Sequence, residues 1–179
     1  MPRYVALLRA INVGGRTVTM ARLRELFESL FLARVETFIA SGNVIFESRA
    51  AAAALERRIE AHLHRELGYE VATFVRTDAE IGRIANYRPF PEAAMKSAGA
   101  LNVGFLAATP APAVRRKIMA LKTGIDDFHV NGRDLYWMCR KRQSESEFSN
   151  AAFERAAGMR ATFRGINTVC RLAAKYPPA

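Results

Sequence analysis

The chain has 179 residues, half of them apolar or aromatic and a quarter charged, a globular balance that excludes extensive disorder. No apolar run reaches the ~18–20 residues a membrane-spanning helix needs, and two cysteines, Cys139 and Cys170, build neither a disulfide framework nor a four-ligand zinc site. The formal charge is +10, with net +3 on residues 1–90 and net +7 on residues 91–179, an excess that attracts anionic partners.

In chain order, Tyr4 to Val13 is a nearly continuous apolar run, interrupted by Arg9 and closed by Asn12 and Gly14-Gly15. It predicts a strand buried on both faces. Leu23, Leu26, Phe27 and Leu30 recur at helical spacing behind Thr19, a suitable N-cap. Val35–Ala40 and Val44–Glu47 flank the turn signal Ser41-Gly42-Asn43 and predict a hairpin. An alanine-rich helix runs from about Ala50 to Leu67 and ends at Gly68. Val71–Val75 is a fourth strand, so the order is β-α-β-β-α-β.

The second half repeats that order. Ala100–Ala108 is a strand, and a helix runs from Thr109-Pro110 to Gly124. Phe128–Val130 and Leu135–Cys139 flank Asn131-Gly132, a strong hairpin signal. A helix over Phe148–Ala157 ends at Gly158, and a short strand near Arg160–Thr162 closes the unit. A last helix, about Gly165–Lys175, is additional. Pro89-Phe90-Pro91 marks a linker, dividing the chain into residues 1–88 and 89–179. The expected architecture is α+β, two tandem ferredoxin-like β-α-β-β-α-β subdomains plus a C-terminal helix. The first strand lacks polar alternation, so its second sheet face is expected to be covered as well, by the other subdomain.

This topology carries the end of the first strand, the start of the first helix and the strand 2–3 hairpin to one edge. Asn12 and Gly14-Gly15-Arg16-Thr17 are therefore expected beside Ser41-Gly42-Asn43. Backbone amides of glycine loops near a helix N-terminus suit an anion or a carbonyl. The two asparagines and Gly42 serve equally well as turn residues. Arg9 sits in an apolar strand, where a guanidinium must be paired. Its partner is either an internal carboxylate such as Glu36 or a ligand phosphate or carboxylate. A second candidate is Thr162, Arg164, Asn167, Thr168 and Arg171. On the last helix, positions 164, 167, 168 and 171 form one polar face, which suits anion capture or simply meets solvent.

The first segment, Tyr4-x-Ala6-Leu7-Leu8-Arg9-x-Ile11-Asn12-Val13-Gly14-Gly15, with Met20-x-x-Leu23-Arg24 and Val35-x-Thr37-x-Ile39-x-Ser41-Gly42-Asn43-Val44-x-Phe46, closely resembles the bacterial family known as domain of unknown function 1697. Pro89-Phe90 and Thr162-x-Arg164-x-x-Asn167-Thr168 fit the same pattern, so the resemblance spans essentially the whole chain. It implies paired ferredoxin-like subdomains. The family has no established activity, so the resemblance supplies no reaction. It marks Arg9, Asn12, Gly14, Gly15, Ser41, Gly42, Asn43, Arg164 and Asn167 as motif positions. Ala10 stands where the family usually has glycine, a change expected to cost little in a strand. Gly165 stands where the family usually has asparagine.

The chemical toolkit is small. His62 and His64 are two apart on a helix and point to different faces. His129 is alone in a strand and reads as structural. Cys139 and Cys170 lie on apolar elements and read as inert core thiols. Asp126-Asp127 reads as an acidic turn. No metal site and no cofactor are expected, and whether the chain is an enzyme is left open. Tyr136-Trp137 beside Arg140-Lys141-Arg142 suggests a single-stranded nucleic-acid surface, although the glycine-aromatic signature of RNA-recognition strands is missing. The reading that follows is a cytoplasmic protein binding a phosphate-bearing or other anionic small ligand at the first-strand/hairpin edge. Single-stranded nucleic-acid binding through Arg140, Lys141, Arg142 and Tyr136 is the alternative, and an interaction scaffold without a ligand is the third. No membrane partner is expected, and the oligomeric state is not legible.

Overall fold

The structure, a computed structural model, describes residues 1–12 and 14–179. Val13, the last residue of the expected first strand, lies outside them. The chain forms two compact units, Met1–Gly82 with Leu172–Ala179, and Arg83–Arg171.

The element order is β1 (Arg3–Leu8), α1 (Met20–Glu28), β2 (Ala33–Thr37), β3 (Asn43–Glu47), α2 (Ala52–Leu67), β4 (Thr73–Thr77), α3 (Asp78–Asn86), α4 (Glu92–Ser97), β5 (Ala100–Leu106), α5 (Pro112–Met119), β6 (Asp126–Asn131), β7 (Asp134–Cys139), α6 (Asn150–Ala157), β8 (Ala161–Gly165) and α7 (Ile166–Lys175). One sheet has the order β2-β3-β1-β4 and the other β6-β7-β5-β8. All pairings are antiparallel. The fold is thus α+β, two tandem ferredoxin-like subdomains with a C-terminal helix.

In the first unit, Leu23, Leu26 and Phe27 of α1 and Leu55, Ile59 and Leu63 of α2 share a core with Tyr4, Ala6, Leu8, Val44 and Phe46. Val5 and Leu7 point to the opposite sheet face and are also buried. That is why β1 lacks polar alternation. The strand nevertheless ends at Leu8. Arg9 N–H still donates to Ala72 O at 2.9 Å, but Ala10 then adopts a left-handed φ of 54°. Ala10 is therefore a turn residue, and the expectation that alanine is harmless there is corrected. An L-residue in this region costs roughly 1–2 kcal/mol.

The free edge of β4 is closed by side chains. Glu60 Oε1 accepts from Thr73 N–H and Glu56 Oε1 from Val75 N–H, each at 2.9 Å, while Glu80 Oε2 accepts from Thr77 N–H at 2.8 Å. Unpaired edge amides are templates for unwanted strand pairing, and three carboxylates occupy them here. At the other edge, β2 shifts register between Ala33 and Glu36. Glu36, the carboxylate considered for Arg9, accepts from Tyr176 Oη at 2.8 Å and pairs with Lys175 at 3.7 Å.

In the second unit, Trp137, Phe128, Leu135 and Phe153 lie in the core beneath the helices. Gly104 gives the ring of Phe163 its place, since a Cβ at 104 would stand 2.7 Å from the ring edge. On the opposite face, Tyr87 covers Tyr136 and His129, with ring centroids 5.1 and 5.6 Å apart. Phe90, expected in a linker, packs edge-on to His129 at 6.3 Å. Tyr136 is 1% exposed, so it presents no face on which a base could stack. Cys139 is buried as expected, but Cys170 is exposed, because its position on α7 faces away from buried Val169 and Leu172.

Candidate functional site

The loop after β1 and the β2–β3 turn meet. Leu8 N–H donates to Gly42 O at 2.9 Å. Gly42 has φ 83°, and a Cβ there would lie 2.8 Å from Ile11 Cγ2, so only glycine fits this crossing. Asn12 spans the two loops: its Nδ2 donates to Ala40 O at 3.0 Å and its Oδ1 accepts from Val18 N–H at 2.7 Å. Asn43 is buried and donates from Nδ2 to Phe38 O and Ser41 Oγ, each at 2.9 Å. Of the expected convergence, Leu8, Ile11 and Asn12 meet the β2–β3 turn, and both asparagine amides are hydrogen-bonded to the loops themselves. The exposed part of the rim comprises Asn12, Gly14-Gly15-Arg16-Thr17, Ala40 and Ser41. Both glycines have positive φ, 65° and 79°, and nothing lies within 4 Å of a Cβ built on either. Thr19 caps the helix that follows, accepting from Arg22 N–H at 3.1 Å. Arg9 is half-buried and Arg16 exposed. The Arg16 guanidinium lies 4.3 Å over the Tyr69 ring, and Tyr69 Oη donates to Ile11 O at 3.4 Å. A cation held over an aromatic ring is oriented without being neutralised.

One pair has the spacing of a nucleophile and its base. Ser29 Oγ lies 2.8 Å from His62 Nε2. Arg65 Nη2 lies 2.8 Å from His62 Nδ1. A guanidinium is donor only, so Nδ1 accepts and Nε2 carries the proton. His62 then donates to Ser29, whose hydroxyl donates to Leu26 O at 2.8 Å. The direction is opposite to that of a general base, and the chain of bonds ties α2 to the end of α1. Asp126 is likewise structural: Oδ1 accepts from Trp137 Nε1 at 2.9 Å and Ser146 Oγ at 2.7 Å, and Oδ2 accepts from Thr123 Oγ1 at 2.8 Å. Among the described residues no group of three or more His, Cys, Asp or Glu is placed to hold a metal ion.

The C-terminal motif does not form one helical face. Arg164 lies in β8, opposite Val103, and only Asn167, Thr168 and Arg171 lie on α7. Arg164 is buried, and burial lowers its pKa to about 10. Its Nη1 donates to Thr162 Oγ1 at 2.8 Å and to Phe163 O at 2.9 Å. The register gives a relationship that sequence reading missed. Arg76 in β4 stands opposite Val5 of β1 as Arg164 stands opposite Val103 of β5. Arg76 is also buried. Each subdomain therefore buries a guanidinium at the same place, a costly choice that demands compensating hydrogen bonds.

The starts of the helices after these strands differ. At α3, Thr77 Oγ1 accepts from Glu80 N–H at 3.1 Å and Glu80 Oε2 accepts from Thr77 N–H at 2.8 Å, a capping box. At α7 the corresponding residue is Gly165, which has no capping side chain. A cavity of about 390 Å³ opens there, with Asn102, Gln143, Gly165 and Asn167 in its wall. The run Arg140-Lys141-Arg142 is exposed.

No protein of curated description matches the chain. A solved structure, described as that of conserved bacterial protein SP0830 from Streptococcus pneumoniae, matches over 97% of both chains, with a TM-score of 0.68 and 20% identity; this likeness concerns the fold. The model of a family described as protein of unknown function, DUF1697, matches residues 1–136. With three quarters of its length matched in this way, and the motif loops described above inside the matched part, the chain belongs to the DUF1697 family.

Proposed function

We propose that the protein binds a small phosphate-bearing or otherwise anionic molecule at the rim formed by the loop after β1 and the β2–β3 turn. The observation that carries the reading is the Gly14-Gly15 loop. Both glycines are exposed and left-handed, with nothing within 4 Å of a Cβ built on either; the loop precedes a capped helix, and Arg9 and Arg16 flank it in sequence. Loop amides before a helix N-terminus, with a cation alongside, attract oxyanions. Asn12, Ser41, Gly42 and Asn43 have a positioning role, since their polar groups fix the two loops. Arg164 and Asn167 belong to the other unit.

The test is a thermal-shift series with inorganic phosphate, pyrophosphate and sugar phosphates. Stabilisation that disappears in Arg9→Ala and Arg16→Ala, in proteins melting like the parent in buffer, supports the reading. Equal melting temperatures with every anion overturn it.

A further inference from the structure

The second unit contains an aromatic cavity that the anion reading does not use. It measures about 540 Å³ and is lined by Trp137, Phe148 and Phe163 together with Gln143, Ser149 and Asn150. The three rings are mutually packed, with centroids 4.6 Å apart for Trp137–Phe148, 5.7 Å for Phe148–Phe163 and 6.4 Å for Trp137–Phe163. Phe148 and Phe163 are only half-buried. Asn150 donates from Nδ2 to Ala161 O at 2.9 Å, while its Oδ1 is buried with no hydrogen-bond partner. Aromatic walls with a few amide groups are the usual lining of a small-molecule site of this size.

The register joins this cavity to the polar one before α7. Asn102 stands opposite Trp137 on one side and opposite Gly165 on the other. Directly opposed residues share a sheet face, so Gly165, Asn102 and Trp137 form one row, polar at one end and aromatic at the other. Gln143 lines both cavities, and its Oε1 accepts from Asn102 Nδ2 at 3.2 Å. The backbone of the basic run passes the polar end, while its side chains are exposed and line neither cavity. Gly99, in that cavity's wall, lies so close to Lys141 that a Cβ would collide with the Lys141 carbonyl.

From this row we propose that the two adjoining cavities form one site for a nucleoside monophosphate. The base lies on the Phe148 and Phe163 rings beside Trp137, and its N–H groups face Gln143. The phosphate enters the polar cavity, beside the Arg140-Lys141-Arg142 run. The same chemistry is offered by a free nucleotide and by one residue of a single strand. The proposal is independent of the Gly14-Gly15 rim.

Trp137 is the sole tryptophan of the chain, so its emission reads the site directly. The full chain is titrated with AMP, GMP, CMP and UMP, with adenosine, with ribose 5-phosphate, and with single-stranded oligonucleotides. At least one monophosphate is expected to quench Trp137 saturably, with affinity about tenfold or more above that of the nucleoside or the sugar phosphate alone. Loss of one stacking ring or of the Gln143 amide is expected to weaken binding by a similar factor, read in Phe148→Leu and Gln143→Ala. Binding by oligonucleotides alone, falling steeply with salt, assigns the base to a polymer; binding by monophosphates assigns it to a free nucleotide. Arg9→Ala and Arg16→Ala are expected to leave these titrations unchanged. Absence of quenching at millimolar concentration of every probe overturns the proposal. So does quenching that both the Phe148→Leu and Gln143→Ala proteins retain in full while their circular dichroism matches the parent.

Discussion

The Asn12 side chain donates to Ala40 O at 3.0 Å and accepts from Val18 N–H at 2.7 Å, so one amide joins the β2–β3 turn to the entrance of α1. Each such bond contributes about 1 kcal/mol. Asn12→Ala is expected to destabilise the protein by about 1–2 kcal/mol, read as a lower urea midpoint with an unchanged slope. Asn12→Asp retains the acceptor toward Val18 and is expected to lose less. A midpoint equal to that of the parent in Asn12→Ala contradicts this role.

Four residues, Ala10, Phe31, Arg34 and Ile39, have a left-handed φ without the Asn or Asp side chain that eases it; Ala10 and Phe31 are the simplest to test. Ala10 has φ 54° and Phe31 has φ 56°, and Phe31 is 95% exposed, so its ring gains nothing from burial. Replacing either with glycine relieves a cost of roughly 1–2 kcal/mol, offset in part by glycine's greater loss of backbone entropy, about 0.5–1 kcal/mol. Ala10→Gly and Phe31→Gly are each expected to raise the melting temperature slightly. A fall in both contradicts the left-handed assignment.

The β4 edge tests the carboxylate caps. In Glu56→Ala with Glu60→Ala, the amides of Val75 and Thr73 lose their acceptors. Bonds to charged groups contribute about 1.5–3 kcal/mol each, and hydrogen exchange at these two amides is expected to accelerate more than at Phe74, whose backbone pairs with Leu7 of β1. Uniform acceleration across β4 indicates general destabilisation instead.

The sequence carried most of this architecture, because each element has its own period and its own stop. Gly68 and Gly158 end helices in left-handed C-caps, and Asn131 lies at the end of the β6–β7 hairpin. What escaped depends on partners distant in the chain. The run from Tyr4 hides the turn at Ala10, because Ile11 re-enters the core after it and keeps the apolar pattern unbroken. Nothing local announces that Tyr87 covers Tyr136, which removed the stacking platform. Arg76 and Arg164 became equivalent only through strand register. The meeting of the β1 loop with the hairpin turn was legible from topology; that the asparagine amides bind the loops themselves was not, since a loop-bonded amide and a free one read alike in sequence.

His129 supplies a pH prediction. Burial holds its imidazole below the usual value of 6.5, Arg115 lowers it further, and Asp127 opposes both. The unfolded chain thus takes up this proton at higher pH than the folded one. Between 6.5 and the lower folded value the unfolded state binds more protons, so this group's contribution makes stability fall as pH falls through that window. Urea midpoints on either side of 6.5 are expected to differ less in His129→Gln than in the parent. An unchanged pH dependence in the variant contradicts the assignment.

The rim itself is tested most directly by amide NMR of the 15N-labelled protein titrated with inorganic pyrophosphate. Saturable shifts centred on the Gly14 and Gly15 amides, lost in Arg9→Ala and Arg16→Ala, are predicted. Resonances of Gly14 and Gly15 that stay fixed throughout the titration contradict the proposed site.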